Sequence, residues 1–322
     1  MRAKVKNSDE LTVAVKDRKF SLFDAIGNTP LVELKNLNGN QRVRILGKLE
    51  GNNPGGSVKD RPAYYMISKA EESGKLVKDR TIVEPTSGNM GISLAMIGAA
   101  KGYRVKLYMP ECVSQERQRT LAALGAEVVL TPAAEGTDGA IRRARQLANE
   151  DPGNCCYMPN QFDNESNVLA HYETTGPEVF SQTKGEIDVL VAGMGTTGTL
   201  MGAGKYLKEK KPSVKIVAVE PTEGHTIQGL KNMKESIVPE IYNPDVFDEK
   251  AVIEDEEAFE ITRLLATKEG LFVGMSSGAA VAGALRVAKN LNSGTIVVIL
   301  PDRGDRYLST TLFRSFCAKC PP

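Results

Sequence analysis

The chain has 322 residues, 41% of them hydrophobic, and its 41 Lys and Arg nearly balance 40 Asp and Glu to leave a formal net charge of +1. This length and composition favour a folded protein of about two domains, and the balanced charge argues against a nucleic-acid-binding surface. No apolar run approaches the roughly 20 residues that a membrane-spanning helix needs, so no membrane partner is expected.

The chain begins with a polar segment. Residues 1–20 mix Lys, Arg, Asp and Glu and contain no apolar run of the kind that a signal peptide requires. We therefore expect residues 1–20 to form a polar N-terminal extension.

The first motif in chain order is Asn52–Arg61, with the sequence NNPGGSVKDR. It places Lys59 at the predicted start of a helix, directly after a glycine-rich loop. The positive end of a helix lowers the pKa of an amine, and an imine-forming lysine requires a lowered pKa. The alternative is an ordinary helix start capped by Ser57 with a solvated Lys59, which a lone lysine favours.

Short apolar runs alternate with segments of helical periodicity along the rest of the chain. This alternation predicts parallel sheets with helices on both faces, and two alternating sets, near residues 80–150 and 187–300, indicate two sheets with a cleft between them. Ligands of such sheets bind at the carboxyl ends of the strands. The predicted strands are 81–83, 105–109, 127–130, 187–192, 214–219 and 295–300, and the predicted helices are 92–100, 114–124, 140–148, 200–207, 255–268 and 279–288.

The second motif, Glu84–Gly91, follows the first of these strands and has the sequence EPTSGNMG. Hydroxyl groups, an amide and free backbone N–H groups meet there at a helix start, which is an arrangement that binds a carboxylate. An ordinary strand-to-helix turn with a Ser or Thr cap explains the same residues, so the motif alone leaves both interpretations open.

The third motif, Gly193–Thr199, has the sequence GMGTTGT and lies between a predicted strand and a predicted helix. Its glycines let the backbone approach an anion and its threonines add donors, so it predicts a phosphate-binding loop. It is not a Walker loop, because no Gly-Lys-Ser/Thr follows. It does satisfy GxGxxG, so NAD binding stays open on this motif alone, although Pro221 directly follows Glu220, the candidate ribose-binding acid.

The fourth motif, Gly274–Ala280, opens an apolar helix with the sequence GMSSGAA. A serine hydroxyl there could hydrogen-bond a ring nitrogen, whereas the alternative is a helix cap with small residues for close packing. Together the four motifs fit one ligand with an aldehyde, a phosphate and a ring nitrogen. That ligand is pyridoxal phosphate, with the lysine as its covalent partner.

Rare residue types limit the remaining chemistry. His171 and His225 are the only histidines, which argues against a Ser-His-Asp triad and against a multi-histidine metal site. Cys317 and Cys320 form a CxxC that could be a redox pair or half a metal site, but a tail with two exposed thiols is favoured, since no second pair completes a zinc set. No metal is expected, and the five cysteines suit a reducing cytoplasm.

Beyond the four motifs, the sequence resembles the fold-type II pyridoxal-phosphate enzymes of the β-replacement group, the cysteine synthases, from Ser21 to about Phe313. Several segments look most like the B type, in which the phosphate loop lacks the second adjacent glycine of the A type. One departure is Met90, where the family usually has threonine, so that a hydroxyl contact with the substrate is lost. The segments that carry the resemblance are Ile26–Leu31, Lys48–Pro54, Gly195–Thr199 and Asp302–Thr310.

The resemblance implies roles for individual residues. Lys59 matches the lysine that binds the cofactor covalently and is the expected catalytic residue, and Asn89 matches the residue that hydrogen-bonds the phenolic oxygen of the cofactor. Ser276 matches the hydroxyl on the pyridine nitrogen. The phosphate loop is matched by Gly195, Thr196, Thr197, Gly198 and Thr199. Lys231 lies near a position where a basic residue of the family can bind an anionic group of the substrate, and the alternative is that Lys231 is a solvated lysine. The residues matched to substrate binding are Thr86, Ser87, Asn89, Met90, Gln161 and Gly229.

The implied fold is α/β, with two three-layer domains built on mostly parallel twisted sheets, as in the β-subunit of tryptophan synthase. The expected smaller, mobile domain is 53–159, and the larger domain combines 21–52 with 160–313, followed by a C-terminal tail at 314–322. The implied activity is a transferase that forms L-cysteine from O-acetyl-L-serine or O-phospho-L-serine and sulfide, with thiosulfate as an alternative donor that gives S-sulfocysteine. A homodimer is expected.

Three other functions remain open. The same fold could condense homocysteine as cystathionine β-synthases do, or deaminate serine or threonine. A scaffold without turnover would retain the fold but has no need of Lys59, Asn89 and Ser276 together. A nicotinamide dehydrogenase rests on the glycine loop alone and leaves Lys59 and Ser276 without roles.

Overall fold

The computed structural model describes residues 21–86 and 88–313. Three sequence predictions lie outside the described residues: the extension at 1–20, Ser87, and the tail at 314–322 that contains Cys317 and Cys320.

The larger sheet has six strands in the order β1-β2-β10-β7-β8-β9, and four of its pairings are parallel while β1 and β2 pair antiparallel. In the centre, Val298 of β10 lies opposite Gly47 of β2 and Val191 of β7. The strands are β1 (Leu31–Glu33), β2 (Val43–Leu49), β7 (Val189–Gly193), β8 (Lys215–Pro221), β9 (Glu249–Ile253) and β10 (Gly294–Leu300).

The smaller sheet has four parallel strands in the order β5-β4-β3-β6. They are β3 (Thr81–Pro85), β4 (Val105–Pro110), β5 (Glu127–Thr131) and β6 (Cys156–Tyr157). All four lie between residues 81 and 157, and the strands of the larger sheet lie outside this range. The boundaries expected at 53 and 159 stay a prediction.

Helices cover both faces of each sheet, which explains why the strands are continuous apolar runs rather than alternating ones. In β7, Val189 and Val191 pack in one apolar cluster while Leu190 and Ala192 pack in another on the opposite face. The fold is therefore α/β with three layers around each sheet, as predicted. The helices are α1 (Asp60–Glu72), α2 (Asn89–Lys101), α3 (Gln115–Ala123), α4 (Gly136–Asn149), α5 (Glu165–Ala170), α6 (Gly176–Gln182), α7 (Gly198–Lys210), α8 (Asp255–Glu269) and α9 (Met275–Asn290).

Every strand and helix predicted from the apolar pattern is present, with ends that differ by a few residues. None of the helices in the described part of the chain is long and apolar enough to cross a membrane. The pattern did not predict β1, β2, β6, β9, α5 or α6, and α1 was predicted only at its start, from the first motif. Most of these are short, and β9 alternates buried and exposed residues in a run of only five, which the surrounding polar sequence obscures.

Candidate active site

A cavity of about 650 Å³ lies between the two sheets and contains residues from all four motifs. Residues at the carboxyl ends of four strands line it: Thr86 after β3, Pro110 of β4, Gly193 of β7 and Pro301 after β10. This is the position that the alternating pattern predicted. A second groove, of about 790 Å³, runs along residues 37–42 and α9, and no motif residue lines it.

Lys59 immediately precedes α1, and its side chain is partly buried in the cavity wall. Its backbone N–H donates to the hydroxyl of Ser57 over 3.3 Å, and its Nζ donates to Oγ1 of Thr196 over 3.3 Å. Burial lowers the pKa of Lys59 to about 8. This partial burial argues against the alternative of a solvated lysine, and the cause of the shift is burial rather than the helix end invoked from the sequence.

A buried ion cluster holds the start of α1 behind Lys59. Arg61 pairs with Glu50 over 2.8 Å and with Glu178 over 2.6 Å, and Lys48 pairs with Glu178 over 2.6 Å. Burial opposes the ionisation of Glu50, but Arg61 outweighs it and the pKa of Glu50 falls to about 2. Breaking one of these pairs would leave an unpaired buried charge, which is costly. The pairs of Arg61 therefore hold the first turn of α1, and with it the backbone of Lys59, in place.

The predicted phosphate loop connects β7 to α7 and leaves little room for side chains. A Cβ atom on Gly195 would lie 2.6 Å from the carbonyl oxygen of Gly229. Thr197 has a left-handed backbone with φ of 70°, and Oγ1 of Thr196 accepts from Asn167 over 3.1 Å. The first N–H groups of α7 have no partner within the helix, so the loop and helix end suit a phosphate.

His171 supports this loop, a role that the sequence analysis did not assign to it. Its Nε2 lies 3.3 Å from Oγ1 of Thr199, and its Nδ1 lies 2.8 Å from Oγ1 of Thr175. The side chain is fully buried, and burial lowers the pKa of His171 to about 3. A neutral imidazole thus braces the last threonine of the loop.

The predicted carboxylate loop joins β3 to α2. Oγ1 of Thr86 accepts from the N–H groups of Gly88 over 2.9 Å and Gly91 over 3.1 Å, which shapes the turn. Asn89 donates to Asp302 over 2.7 Å and accepts from Arg306, so a ligand that binds Asn89 competes with these groups.

Met90 and Gln161 complete this side of the cavity. Met90 is 2% exposed and packs in the apolar cluster of the smaller sheet, so its side chain belongs to the core while its backbone faces the loop. Gln161 is buried next to the loop, where its Nε2 donates to the carbonyl of Pro85 over 3.1 Å.

The opposite wall carries the remaining predicted residues. Ser276 is buried in the first turn of α9, and a Cβ atom on Gly229 would lie 4.0 Å from its hydroxyl. Lys231 is 7% exposed, pairs with Asp138 over 2.9 Å and lies 5.0 Å from the ring centre of Phe162. The alternative of a solvated Lys231 is therefore wrong.

Sequence reasoning missed several buried polar residues around the cavity. Arg117 of α3 packs over the ring of Tyr307, donates to Gln228 and lies 3.5 Å from Asp302, thereby linking the smaller sheet unit to the larger. The sequence analysis assigned no role to Glu84 beyond its place at the start of the second motif. Both residues contact partners far along the chain, and no local sequence pattern distinguishes Arg117 in its helix or Glu84 in its turn from exposed charged residues.

The residues present fit pyridoxal phosphate. One cavity of about 650 Å³ is lined by the partly neutral amine of Lys59, the glycine-rich loop after β7, a buried hydroxyl and an amide. A cavity of this size accommodates a cofactor of this kind together with a small amino acid.

Comparison with known proteins agrees with this fit. Residues 22–302 match the family model described as pyridoxal-phosphate dependent enzyme. Cysteine synthase B of Escherichia coli strain K12 is 46% identical over 293 residues, which cover 91% of this chain and 96% of the relative. The structure of an O-ureido-L-serine synthase has a TM-score of 0.85 at 40% identity and covers 91% of this chain and 95% of its own. Cysteine synthase of Entamoeba histolytica has a TM-score of 0.85 at 38% identity, with coverage of 98% and 94%.

Proposed function

Because the chain belongs to the pyridoxal-phosphate-dependent enzymes, we infer that it is a cysteine synthase that forms L-cysteine from O-acetyl-L-serine and sulfide. The observation that carries this inference is the meeting of Lys59, the phosphate loop, the carboxylate loop and Ser276 around one cavity. The cysteine synthases among its relatives favour this reaction over other uses of the cofactor.

Pyridoxal phosphate supplies a carbonyl that forms an imine with amines and an electron-withdrawing ring that acidifies the α-carbon of a bound amino acid. In this chain Lys59 would hold the carbonyl carbon, Gly195–Thr199 the phosphate and Asn89 the phenolic oxygen. Ser276 would hydrogen-bond the ring nitrogen. A serine does not force that nitrogen to stay protonated as a carboxylate would, which favours β-elimination over transamination.

Lys59 is the proposed general base. With the cofactor and substrate bound, Nζ of Lys59 would remove the α-proton of the substrate and later return it. Burial holds the pKa of this amine at about 8, close to neutral pH, where a base of this kind is most effective.

The carboxylate loop and Gln161 would bind the substrate carboxylate from the other side of the cavity. Thr86, Ser87, Asn89 and the backbone of Met90 belong to the loop, and Gln161 adjoins it through the carbonyl of Pro85. Their side of the cavity belongs to the smaller sheet, so closure over a bound carboxylate would exclude water from the reacting centre.

The charges that line the cavity favour O-acetyl-L-serine over O-phospho-L-serine. Three acidic residues, Glu135, Asp138 and Glu235, lie there beside Lys59, Arg117 and Lys231. Lys231 is already paired with Asp138, so a phosphate group or thiosulfate would have to compete with that carboxylate, whereas an acetyl ester needs no free cation. O-Phospho-L-serine stays the second candidate, because Lys231 is a buried ammonium facing the same cavity.

Product analysis tests the proposal. We expect the purified holoenzyme, given O-acetyl-L-serine and sulfide, to release L-cysteine and acetate. Parallel reactions with O-phospho-L-serine, thiosulfate or homocysteine, and with serine or threonine alone, separate the alternative substrates. Keto acid from serine without a sulfur donor, or cystathionine as the main product, would contradict the proposal. A holoenzyme that binds the cofactor but turns over none of these substrates would favour the scaffold.

We also propose that the chain forms a homodimer, as the family resemblance implies, and that it acts in the cytoplasm, which its cysteine pattern suits. Sedimentation of the purified holoenzyme tests the first point, since a monomer at micromolar concentration would contradict it. Fractionation of producing cells tests the second.

A further inference from the structure

Glu84 is a fully buried carboxylate at the carboxyl end of β3, outside the cavity lining. One oxygen accepts from the backbone N–H of Asn160 over 2.8 Å and the other from that of Gln161 over 2.9 Å. Glu84 forms no ion pair with any residue in 21–86 or 88–313. Burying a carboxylate without a cation costs folding free energy, so the presence of Glu84 at this position requires an explanation.

These two bonds extend the sheet where its regular pairing ends. The pairing of β3 with β6 covers only Thr81 opposite Cys156 and Ile82 opposite Tyr157. Beyond this pairing the segment that follows β6 turns away from β3, with Asn160 in a left-handed conformation at φ of 54°. The side chain of Glu84 takes the N–H groups that the ladder no longer pairs.

The two walls of the proposed site for the substrate carboxylate both lie next to the side chain of Glu84. The loop that begins at Thr86 follows Glu84 by two residues, and Gln161 is the other wall. The Nε2 of Gln161 donates to the carbonyl of Pro85 over 3.1 Å, and the backbone carbonyl of Gln161 accepts from the side chain of Asn167 over 2.7 Å. The bonds of Gln161 to Glu84 and to the carbonyl of Pro85 together hold the glutamine beside the loop.

We propose that Glu84 is a positioning residue for the substrate carboxylate, which acts by keeping Gln161 in register with the loop at Thr86–Met90. The inference rests on the proposed function and deepens it. Glu84 does not line the cavity, so it would act through Gln161 and the loop rather than on the substrate directly.

The geometry favours the ionised form. Both oxygens of a carboxylate accept strongly, whereas a protonated carboxyl or an amide places a donor group beside one of the two N–H groups and weakens that bond. The titratable groups whose charges couple to Glu84 are Tyr157 on β6 and Asp163, and Asp163 is paired with Arg145 over 2.5 Å. Burial raises the pKa of Glu84 to about 8, so protonation in the neutral range weakens one of the two bonds.

The test is Glu84→Gln in the holoenzyme, which keeps the size of the side chain and imposes the protonated pattern. At about pH 9, where wild-type Glu84 is mostly ionised, we expect KM for O-acetyl-L-serine to rise about tenfold while kcat changes less than about threefold. The methyl ester of O-acetyl-L-serine lacks the carboxylate, so its kcat/KM should be the same in wild type and variant.

The pH dependence provides a second readout. The wild-type KM should rise as the pH is lowered through about 8 and approach that of Glu84→Gln, whose KM should be higher throughout. Lys59 titrates in the same range in both proteins, so the ratio of their KM values isolates Glu84. A ratio that stays constant between about pH 7 and pH 9 would overturn the proposal.

Glu71→Gln is the matched control, because Glu71 accepts from Lys101 over 2.6 Å and from Tyr103 over 2.9 Å beside the same small sheet but away from the cavity. Equal KM effects in both variants, or an ester penalty equal to that of the acid, would show that Glu84 only supports the fold. If Glu84→Gln fails to fold, Glu84→Asp keeps the charge and should retain a pH-dependent KM. A wild-type enzyme inactive with O-acetyl-L-serine would contradict the proposed function instead.

Discussion

Lys59 combines two properties that its neighbours impose. The ion cluster around Arg61 fixes the backbone from which it extends, and its partly buried position lowers the pKa of its amine to about 8. A lysine on an exposed helix face has neither property, which is why the residue type alone could not identify it.

Replacing this amine should abolish the reaction. For Lys59→Ala we expect kcat to fall by more than about a thousandfold, because both the covalent partner of the cofactor and the general base are lost. Cysteine formation from O-acetyl-L-serine and sulfide measures the effect. Lys69→Ala, which removes an exposed lysine from the same helix, is the control and should retain wild-type activity. Turnover by Lys59→Ala near the wild-type rate would refute the assignment.

The lowered pKa of Lys59 predicts how the apoprotein takes up its cofactor. Only the neutral amine attacks the carbonyl, and its fraction rises as the pH rises through about 8. The rate at which the visible absorbance of the Lys59–cofactor bond appears should therefore increase about tenfold between about pH 7 and pH 9, then level off. A rate that continues to rise beyond about pH 10 would indicate an unperturbed lysine.

At the scale of elements, the site is built from turns at the ends of buried parallel strands. The loop from β7 to α7 is the clearest example, because its shape depends on the absence of side chains at Gly195. The obstacle to a side chain there is the backbone oxygen of Gly229, which cannot move aside as a flexible side chain would.

Gly195→Ala should therefore weaken cofactor binding more than folding. We expect the dissociation constant for pyridoxal phosphate, measured by titration of the apoprotein, to rise by about tenfold or more, because the added methyl group displaces the loop or Gly229. Gly39→Ala is the control, since nothing lies within 4 Å of the added atom, and it should bind the cofactor normally. Equal affinities of the two variants would contradict the phosphate role of the loop.

Strand-helix alternation predicted most of these elements because buried parallel strands are continuous apolar runs that need no partner to be recognised. The runs at 105–109 and 295–300 appear as β4 and β10. In contrast, β6 has two residues and β1 three, so neither contains a full period of any pattern. Such strands form because a neighbouring strand is present, which the local sequence does not encode.

At the scale of the whole molecule, the cavity depends on contacts between the two sheet units. Arg117 reaches Gln228 and Tyr307 across it, and Asp138 of α4 meets Lys231, which follows β8. Asp138 also accepts from the backbone N–H of Ile237 over 2.9 Å. The charge that a substrate encounters is therefore set by both units together.

Releasing Lys231 from Asp138 should change substrate preference. For Asp138→Asn we expect the ratio of kcat/KM for O-phospho-L-serine to that for O-acetyl-L-serine to increase about tenfold, because an ammonium without its carboxylate partner attracts the phosphate. Glu135→Gln removes another acidic residue from the cavity lining, one paired with Arg142 rather than Lys231, and serves as the control. An unchanged ratio in Asp138→Asn would show that the leaving group does not approach Lys231.

The sequence by itself determined the α/β class, the four turns that carry the chemistry and the cofactor that they fit, because apolar periodicity and turn residues act over a few neighbouring positions. Only the tertiary structure decided that Lys59 is partly buried and Lys231 buried, that His171 contacts Thr199 of the predicted phosphate loop and that Glu84 binds Gln161 beside the predicted carboxylate loop. These properties arise between residues far apart in the chain, as with Lys59 and Thr196, which are 137 positions apart. Burial and pairing, which set charge and pKa, exist only once such segments have packed together.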